Sequence, residues 1–181
     1  MVNTVLILSD EICSYAGENK SFANQLKVAD ILLPSSPLMM REFLRLKDLM
    51  LDQYDDYEYN SFDAVMKVVS EHASTSYILT DSEKELERCK IMMQMDAPNI
   101  KSWECCVEDI EASNDTILNE INSIVPDVLI CSLESPLQEK WIMNNKDKMN
   151  TKMILGIGPD VKKAKKNKAS IKEIIRVLIK K

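Results

Sequence analysis

PDVLICSLESPLQEKWI, residues 126–142, holds the change of pattern on which the fold turns. Val128, Leu129, Ile130 and Cys131 make a short, continuous apolar run of strand-favouring residues, opened by Pro126 and Asp127. From Leu137 onward the pattern is helical, with Trp141 four residues further on. A strand with no polar alternation is one buried on both faces, as in a parallel sheet covered by helices. The turn between strand and helix, Leu133 to Pro136, contains no glycine. Ser135 is expected to cap the helix and Pro136 to suit its first turn, which puts Gln138 and Glu139 at the N-terminus, beside any bound ligand.

Working outward, TVLILS (4–9), ILLP (31–34), YILT (77–80), IKSWEC (100–105) and KMILGIG (152–158) read as strands of the same kind. Helical patterns fill the intervals: SFANQLKVAD (21–30), PLMMREFLRLKDLMLDQ (37–53), SFDAVMKVVSEHA (61–73), SEKELERCKIMMQM (82–95), VEDIEASNDTILNEINSI (107–124) and SPLQEKWIMNNKDKM (135–149). Ser61 reads as an N-cap, Ser82 with Glu85 as a capping box, and Met92, Met93 and Met95 as core filler. This alternation predicts a Rossmann-like α/β domain over residues 1–160, with a mainly parallel sheet and helices on both faces. Ligands of such sheets lie beyond the carboxyl ends of the strands, so the loops after residues 9, 34, 80, 105, 132 and 158 are where a site belongs.

Composition narrows the chemistry. With 45% hydrophobic and 29% charged residues, the chain has the make-up of an ordinary globular protein. The opening MVNTVLILSDEIC has neither a basic leader nor a small-residue cleavage site, so no signal peptide is expected, and no apolar run reaches membrane-spanning length. Cys13, Cys89, Cys105, Cys106 and Cys131 form no CxxC pair and read as free thiols of a reducing, cytoplasmic compartment; for the adjacent Cys105 and Cys106, on an expected strand, buried packing of one of the two is favoured over a redox pair. His72 is the only histidine and falls late in a helix, where it suits the helix C-terminus. A zinc site or a Ser-His-Asp triad therefore lacks material, and no metal is expected. Residues 161–181 hold nine of the 23 Lys and Arg and one of the 29 acids, a +8 tail on a body with 14 bases against 28 acids. Ile171, Ile174, Ile175 and Leu178 make an apolar stripe along this tail, which either lies on anionic lipid or packs on the body as a final helix. It has no aromatic residue, and the acidic body repels polyanions, so nucleic acid is not an expected partner.

Pro126, Asp127, Ser135, Pro136, Gln138, Glu139, Trp141, Ile142, Gly156 and Gly158 match, in order and spacing, a Pro-Asp strand opening, a Gly-Ser-Pro-x-Gln-Glu turn with a following tryptophan, and a strand ending in Gly-x-Gly. This resembles the WecG/TagA/CpsF family of bacterial N-acetylmannosaminyltransferases of cell-surface polysaccharide biosynthesis. ADILLPSSPLMM, residues 29–40, is similar to that family's Ala-Asp, apolar run, Pro-Asp-Gly segment. The resemblance covers about residues 4–160 and is thin between these two stretches. It implies a glycosyltransferase that moves a sugar from a UDP-sugar to a lipid-diphosphate-linked acceptor at the inner membrane face, with inversion and with no cofactor beyond the UDP-sugar.

Inversion needs a base to take the proton from the acceptor hydroxyl. The family assigns that role to the aspartate of Pro-Asp-Gly; the matching positions here are Ser35 and Ser36, and a hydroxyl cannot accept the proton at neutral pH unaided. Glu134 replaces the glycine before Ser135, and the asparagine expected after the first strand falls at Ser9 and Asp10. Gly17, Gly156 and Gly158 are the only glycines, against roughly a dozen for average usage, which argues against a conventional phosphate cradle. Substrate contacts are expected from Ser9, Ser135, Gln138, Glu139, Gly156, Gly158 and Asp160. Three readings remain open: a catalytically degenerate member acting as partner or regulatory subunit of an active enzyme, in keeping with the oligomers common in the family; a working transferase with Asp10, Glu134 or Asp160 as base; and an unrelated α/β binding protein.

Overall fold

The computed structural model describes residues 2–35 and 61–158, and of Asp10 only the backbone. Ser36, Asp160, the helical pattern over 37–53 and the basic tail lie outside the described residues. Six strands, β1 (Asn3–Leu8), β2 (Ile31–Pro34), β3 (Thr75–Thr80), β4 (Lys101–Cys106), β5 (Val128–Ser132) and β6 (Met153–Gly156), form one sheet in the order β2-β1-β6-β5-β3-β4. Every pairing is parallel, with Leu129 of β5 set between Ile154 of β6 and Tyr77 of β3. All six apolar runs thus become strands, and the arrangement is α/β and Rossmann-like.

Six α-helices cover the sheet among the described residues: α1 (Asp10–Glu18), α2 (Lys20–Leu26), α3 (Ser61–His72), α4 (Glu83–Asp96), α5 (Asn114–Ile124) and α6 (Leu137–Asn145), the last continued by a 3-10 turn at Lys146–Lys148. Successive strand residues point to opposite faces. Leu129 and Cys131 join Leu6, Tyr77 and Ile154 under α1, α2, α5 and α6, whereas Val128 and Ile130 join Val5, Ile78 and Leu155 under α3 and α4. Both sets are buried, which is why the strands show no polar alternation.

Several local expectations need correction. α1 has no counterpart in the expected elements; Ser9 starts it by accepting a 3.3 Å bond from the Ile12 amide. VEDIEAS, residues 107–113, is not helical, because the Asp109 carboxylate takes the amides of Glu111 and Ala112 at 3.1 and 2.9 Å and fixes a turn, and α5 starts only at Asn114. The buried Ser61 hydroxyl donates to the Pro34 carbonyl, tying α3 to β2. Met95 is exposed, unlike the buried Met92 and Met93. Cys105 and Cys106 are half-buried because β4 is an edge strand.

Candidate functional site

The chain leaves β3 for α4 on one face of the sheet and leaves the neighbouring β5 for α6 on the other. Where neighbouring strands send their connections to opposite faces, a crevice opens at their carboxyl ends, and this is the place for a ligand in such sheets. Asp81 and Ser82 form one lip of it and Leu133 to Ser135 the other, with Gly156 to Gly158 alongside at the end of β6.

Gln138, fully buried, is the knot of this crevice. Its Oε1 accepts from the Leu133 amide at 3.3 Å and from the Gly158 amide at 3.0 Å, joining the exits of β5 and β6. Its Nε2 donates at 3.1 Å to Glu139 Oε1, which also receives the Ser135 hydroxyl at 3.1 Å. Ser135 is therefore not the expected cap: Pro136 occupies that position, no side chain caps the helix, and the serine holds Glu139 instead. The Ser135–Pro136 peptide is cis. Gly156 is required by packing, since a Cβ there would lie 2.7 Å from Leu6 and 3.1 Å from both Gln138 and Ile142. Gly158 is required by its backbone, with φ at +66°.

Glu139 is 1% exposed, and its Oε2 has no hydrogen-bond partner. Burial pushes its carboxyl above the ordinary carboxylate range, and bonds from its own amide, Ser135 and Gln138 pull it back only in part. The opposite lip is built on Glu85. Its Oε1 receives the Ser132 hydroxyl and Arg88, and Arg88 Nη2 also reaches the Gly158 carbonyl at 3.1 Å. The capping box is half formed: the Glu85 amide bonds Ser82 Oγ at 3.4 Å, while the Glu85 side chain turns to the crevice. Burial, with the Glu85 charge nearby, pushes the Cys89 thiol up to about 12, and burial raises Cys131 as well. Neither thiol is a nucleophile at neutral pH.

The remaining candidates separate. Glu134 is exposed, and its amide, not its carboxylate, enters the network, donating to Asp81 Oδ2 at 2.6 Å. Ser9 is committed to the start of α1. Ser35 follows the edge strand β2, its amide on the Leu8 carbonyl at 2.9 Å, three strand spacings or about 14 Å from the β5 exit. Ser135, Gln138, Glu139, Gly156 and Gly158 thus converge, while Ser9 and Ser35 stand apart. Asp81, Glu85, Arg88 and Ser132 were absent from the expected set; the capping box at Ser82 and the loop after residue 80 were the signals that led towards them. Among the described residues, no group of three or more His, Cys, Asp or Glu side chains could hold a metal ion. No helix among them is long and apolar enough to cross a membrane.

Comparison with known proteins adds the following. The model of the Glycosyl transferase WecG/TagA/CpsF family matches residues 3–162. The N-acetylglucosaminyldiphosphoundecaprenol N-acetyl-beta-D-mannosaminyltransferase of Staphylococcus aureus strain MRSA252 is 22% identical over 154 residues, 85% of this chain and 59% of that protein. The enzymes of the same name from strains NCTC 8325 / PS 47 and MW2 are 22% and 20% identical over the same share. The chain spans about three fifths of the length of these curated relatives. With the family match running through the Rossmann-like sheet and the crevice at its carboxyl edge, the chain belongs to the Glycosyl transferase WecG/TagA/CpsF family.

Proposed function

We propose that this chain is a catalytically degenerate glycosyltransferase of bacterial cell-surface polysaccharide assembly that serves as partner or regulatory subunit of an active family enzyme. One observation carries the reading: the amides at the crevice that an anionic ligand would use are taken by the chain itself. Leu133 and Gly158 donate to Gln138, and Glu134 donates to the Asp81 carboxylate. A phosphate oxygen approaching the Glu134 amide meets a like charge already bonded to it, and like charges at this range repel. The loss of the base points the same way, since Ser35 and Ser36 stand where the family resemblance places an aspartate.

The relatives' name gives an N-acetylmannosaminyl group and a diphosphoundecaprenol-linked acceptor, and these define the substrates to test. Mixed with an active transferase of the family, the chain is expected to co-elute with it and change its rate of UDP release. Separate elution with an unchanged rate contradicts the partner role. Residues 161–181 would hold the assembly on the inner membrane face through nine basic side chains. Deleting them should reduce sedimentation with anionic liposomes, and an unchanged bound fraction removes that part of the proposal.

A second reading, an active transferase with another carboxylate as base, has one observation in its favour. Glu139 is a buried carboxyl beside the crevice with a raised proton affinity and an unpartnered oxygen, properties that suit a group that moves a proton. UDP release by the chain alone that Glu139→Gln abolishes would favour this reading over the first.

A further inference from the structure

We infer that the β4 edge of the sheet is an interface at which two copies of this chain join, β4 against β4 in antiparallel order, into one continuous sheet. The inference goes beyond the function proposed above and does not depend on it. The two edges of the sheet are built differently. β2 ends in Pro34, which has no amide to donate and whose carbonyl is taken by the Ser61 hydroxyl, so that edge is closed. β4, six residues long, keeps its outer backbone open. The amides of Lys101 and Val107 donate to the carbonyls of Ser74 and Thr80 at 3.1 and 2.9 Å, so the alternate residues Ser102, Glu104 and Cys106 turn their N–H and C=O groups away from β3. Among the described residues, nothing bonds to these outward backbone groups. An edge left in this state is a template for another strand.

The strand is complementary to itself in one register. Two copies meeting at such an edge are related by a twofold axis, so residues that face each other project from the same side of the joined sheet. With Trp103 opposite Trp103, Ser102 stands opposite Glu104 of the other copy, and each of these pairs exchanges both of its N–H to C=O bonds. A hydroxyl then meets the Glu104 carboxylate, whose charge Lys90 of its own chain balances at 3.1 Å. On the α5 side the two indole rings, each half-buried and with its own Lys101 Nζ 4.6 Å from the ring centre, cover one another. Moving the register by one pair in one direction sets Glu104 against Glu104, two like charges directly opposed. Moving it the other way calls on the Ile100 amide, which already donates to the Ala97 carbonyl at 3.2 Å. Because the joined strands run antiparallel, the two crevices open at opposite edges of the continuous sheet, and neither is covered by the other copy.

Sedimentation of the full chain over a concentration series tests this, in about 0.15 M salt so that repulsion between chains of net charge −6 is screened. A dimer of twice the 20.7 kDa chain mass is expected at micromolar concentration, with hydrogen exchange at the Ser102 and Glu104 amides slowing as it forms. Ser102→Glu sets a second carboxylate opposite Glu104 of the other copy and should raise the dissociation constant about tenfold. The double variant Ser102→Glu/Glu104→Lys sets opposite charges face to face and should restore the dimer. Glu104→Pro removes an outward amide that no group of the chain accepts, and should abolish the dimer; unchanged thermal midpoints establish that the variants fold. A monomer throughout the series, a dimer that both single variants leave unchanged, or a double variant no tighter than Ser102→Glu alone would each overturn the inference. A monomer that still partners an active transferase would overturn this inference alone, and a dimer without that partnership would count against the proposed function alone.

Discussion

Asp127, just before β5, and Glu139, in the helix after it, stand at opposite ends of one strand and have opposite environments. The Asp127 carboxylate is saturated. It accepts from the amides of Ser74 and Thr75 at 2.8 and 3.0 Å and from the Thr75 hydroxyl at 3.1 Å, and it pairs with Lys152 at 2.6 Å. Lys152 first, then the Ser74 amide, hold it at about 2, against an ordinary value of 3.8. Glu139 is buried with one oxygen unpartnered and its proton affinity raised. Both residues belong to the stretch that carries the family resemblance, yet one joins the amino ends of β3, β5 and β6 and the other faces the crevice. A motif match therefore reports assembly of the sheet as much as chemistry, and a chain can keep the first while losing the second.

Removing the knot between these regions should have the largest effect. Gln138→Ala strips two amides of their acceptor and Glu139 of a donor in a buried site, so a loss of about 3 kcal/mol in urea unfolding is expected. A loss below about 1 kcal/mol would mean that water replaces the side chain and that the crevice is open rather than self-filled.

Asp127→Ala should cost about 2 kcal/mol at neutral pH, less than its four contacts sum to, because the Lys152 side chain is 80% exposed. The carboxyl titrates lower in the folded chain than unfolded. Its stabilisation is thus present above about 4 and is lost as the pH falls towards 2, so the gap between wild type and variant closes in acid. A gap independent of pH would assign the cost to packing instead.

Glu139→Gln should have the smallest effect, within about 1 kcal/mol in acid below the ordinary value of 4.5, since the amide is isosteric with the neutral acid. Here the slope reverses. The folded chain holds this proton more tightly than the unfolded chain does, so wild-type stability falls as the pH rises past the ordinary value of 4.5. The variant escapes that fall and should gain on wild type as the pH climbs. Parallel pH profiles would show Glu139 to be solvated, and the contrast with Asp127 would disappear.

The sheet was legible because its signal is local: Val128 to Cys131 is apolar at every position, and each such run in the chain became a strand. α1 was missed because its apolar stripe is a single turn long: Ile12, Tyr15 and Ala16, at i, i+3 and i+4, pack on the core, and only Ile12 among the described side chains is fully buried. Over 107–113 the acidic and alanine residues imitate a helix, whereas a short-range bond from the Asp109 carboxylate fixes a turn. Of the site, the Gln138–Glu139 pair could be read from its place after a strand. For Asp81, Glu85 and Arg88 the loop after residue 80 and the capping box at Ser82 gave the neighbourhood but not the role, because they meet the β5 exit only through the pairing of β3 with β5, a long-range contact that no spacing in the sequence encodes.

The central claim is that the scaffold persists without turnover. Its most direct test is UDP release by the purified chain alone, given UDP-N-acetylmannosamine and an N-acetylglucosaminyl-diphospho-lipid acceptor. No release above the protein-free background is expected; release that is abolished by Glu139→Gln or Asp10→Asn would contradict the claim.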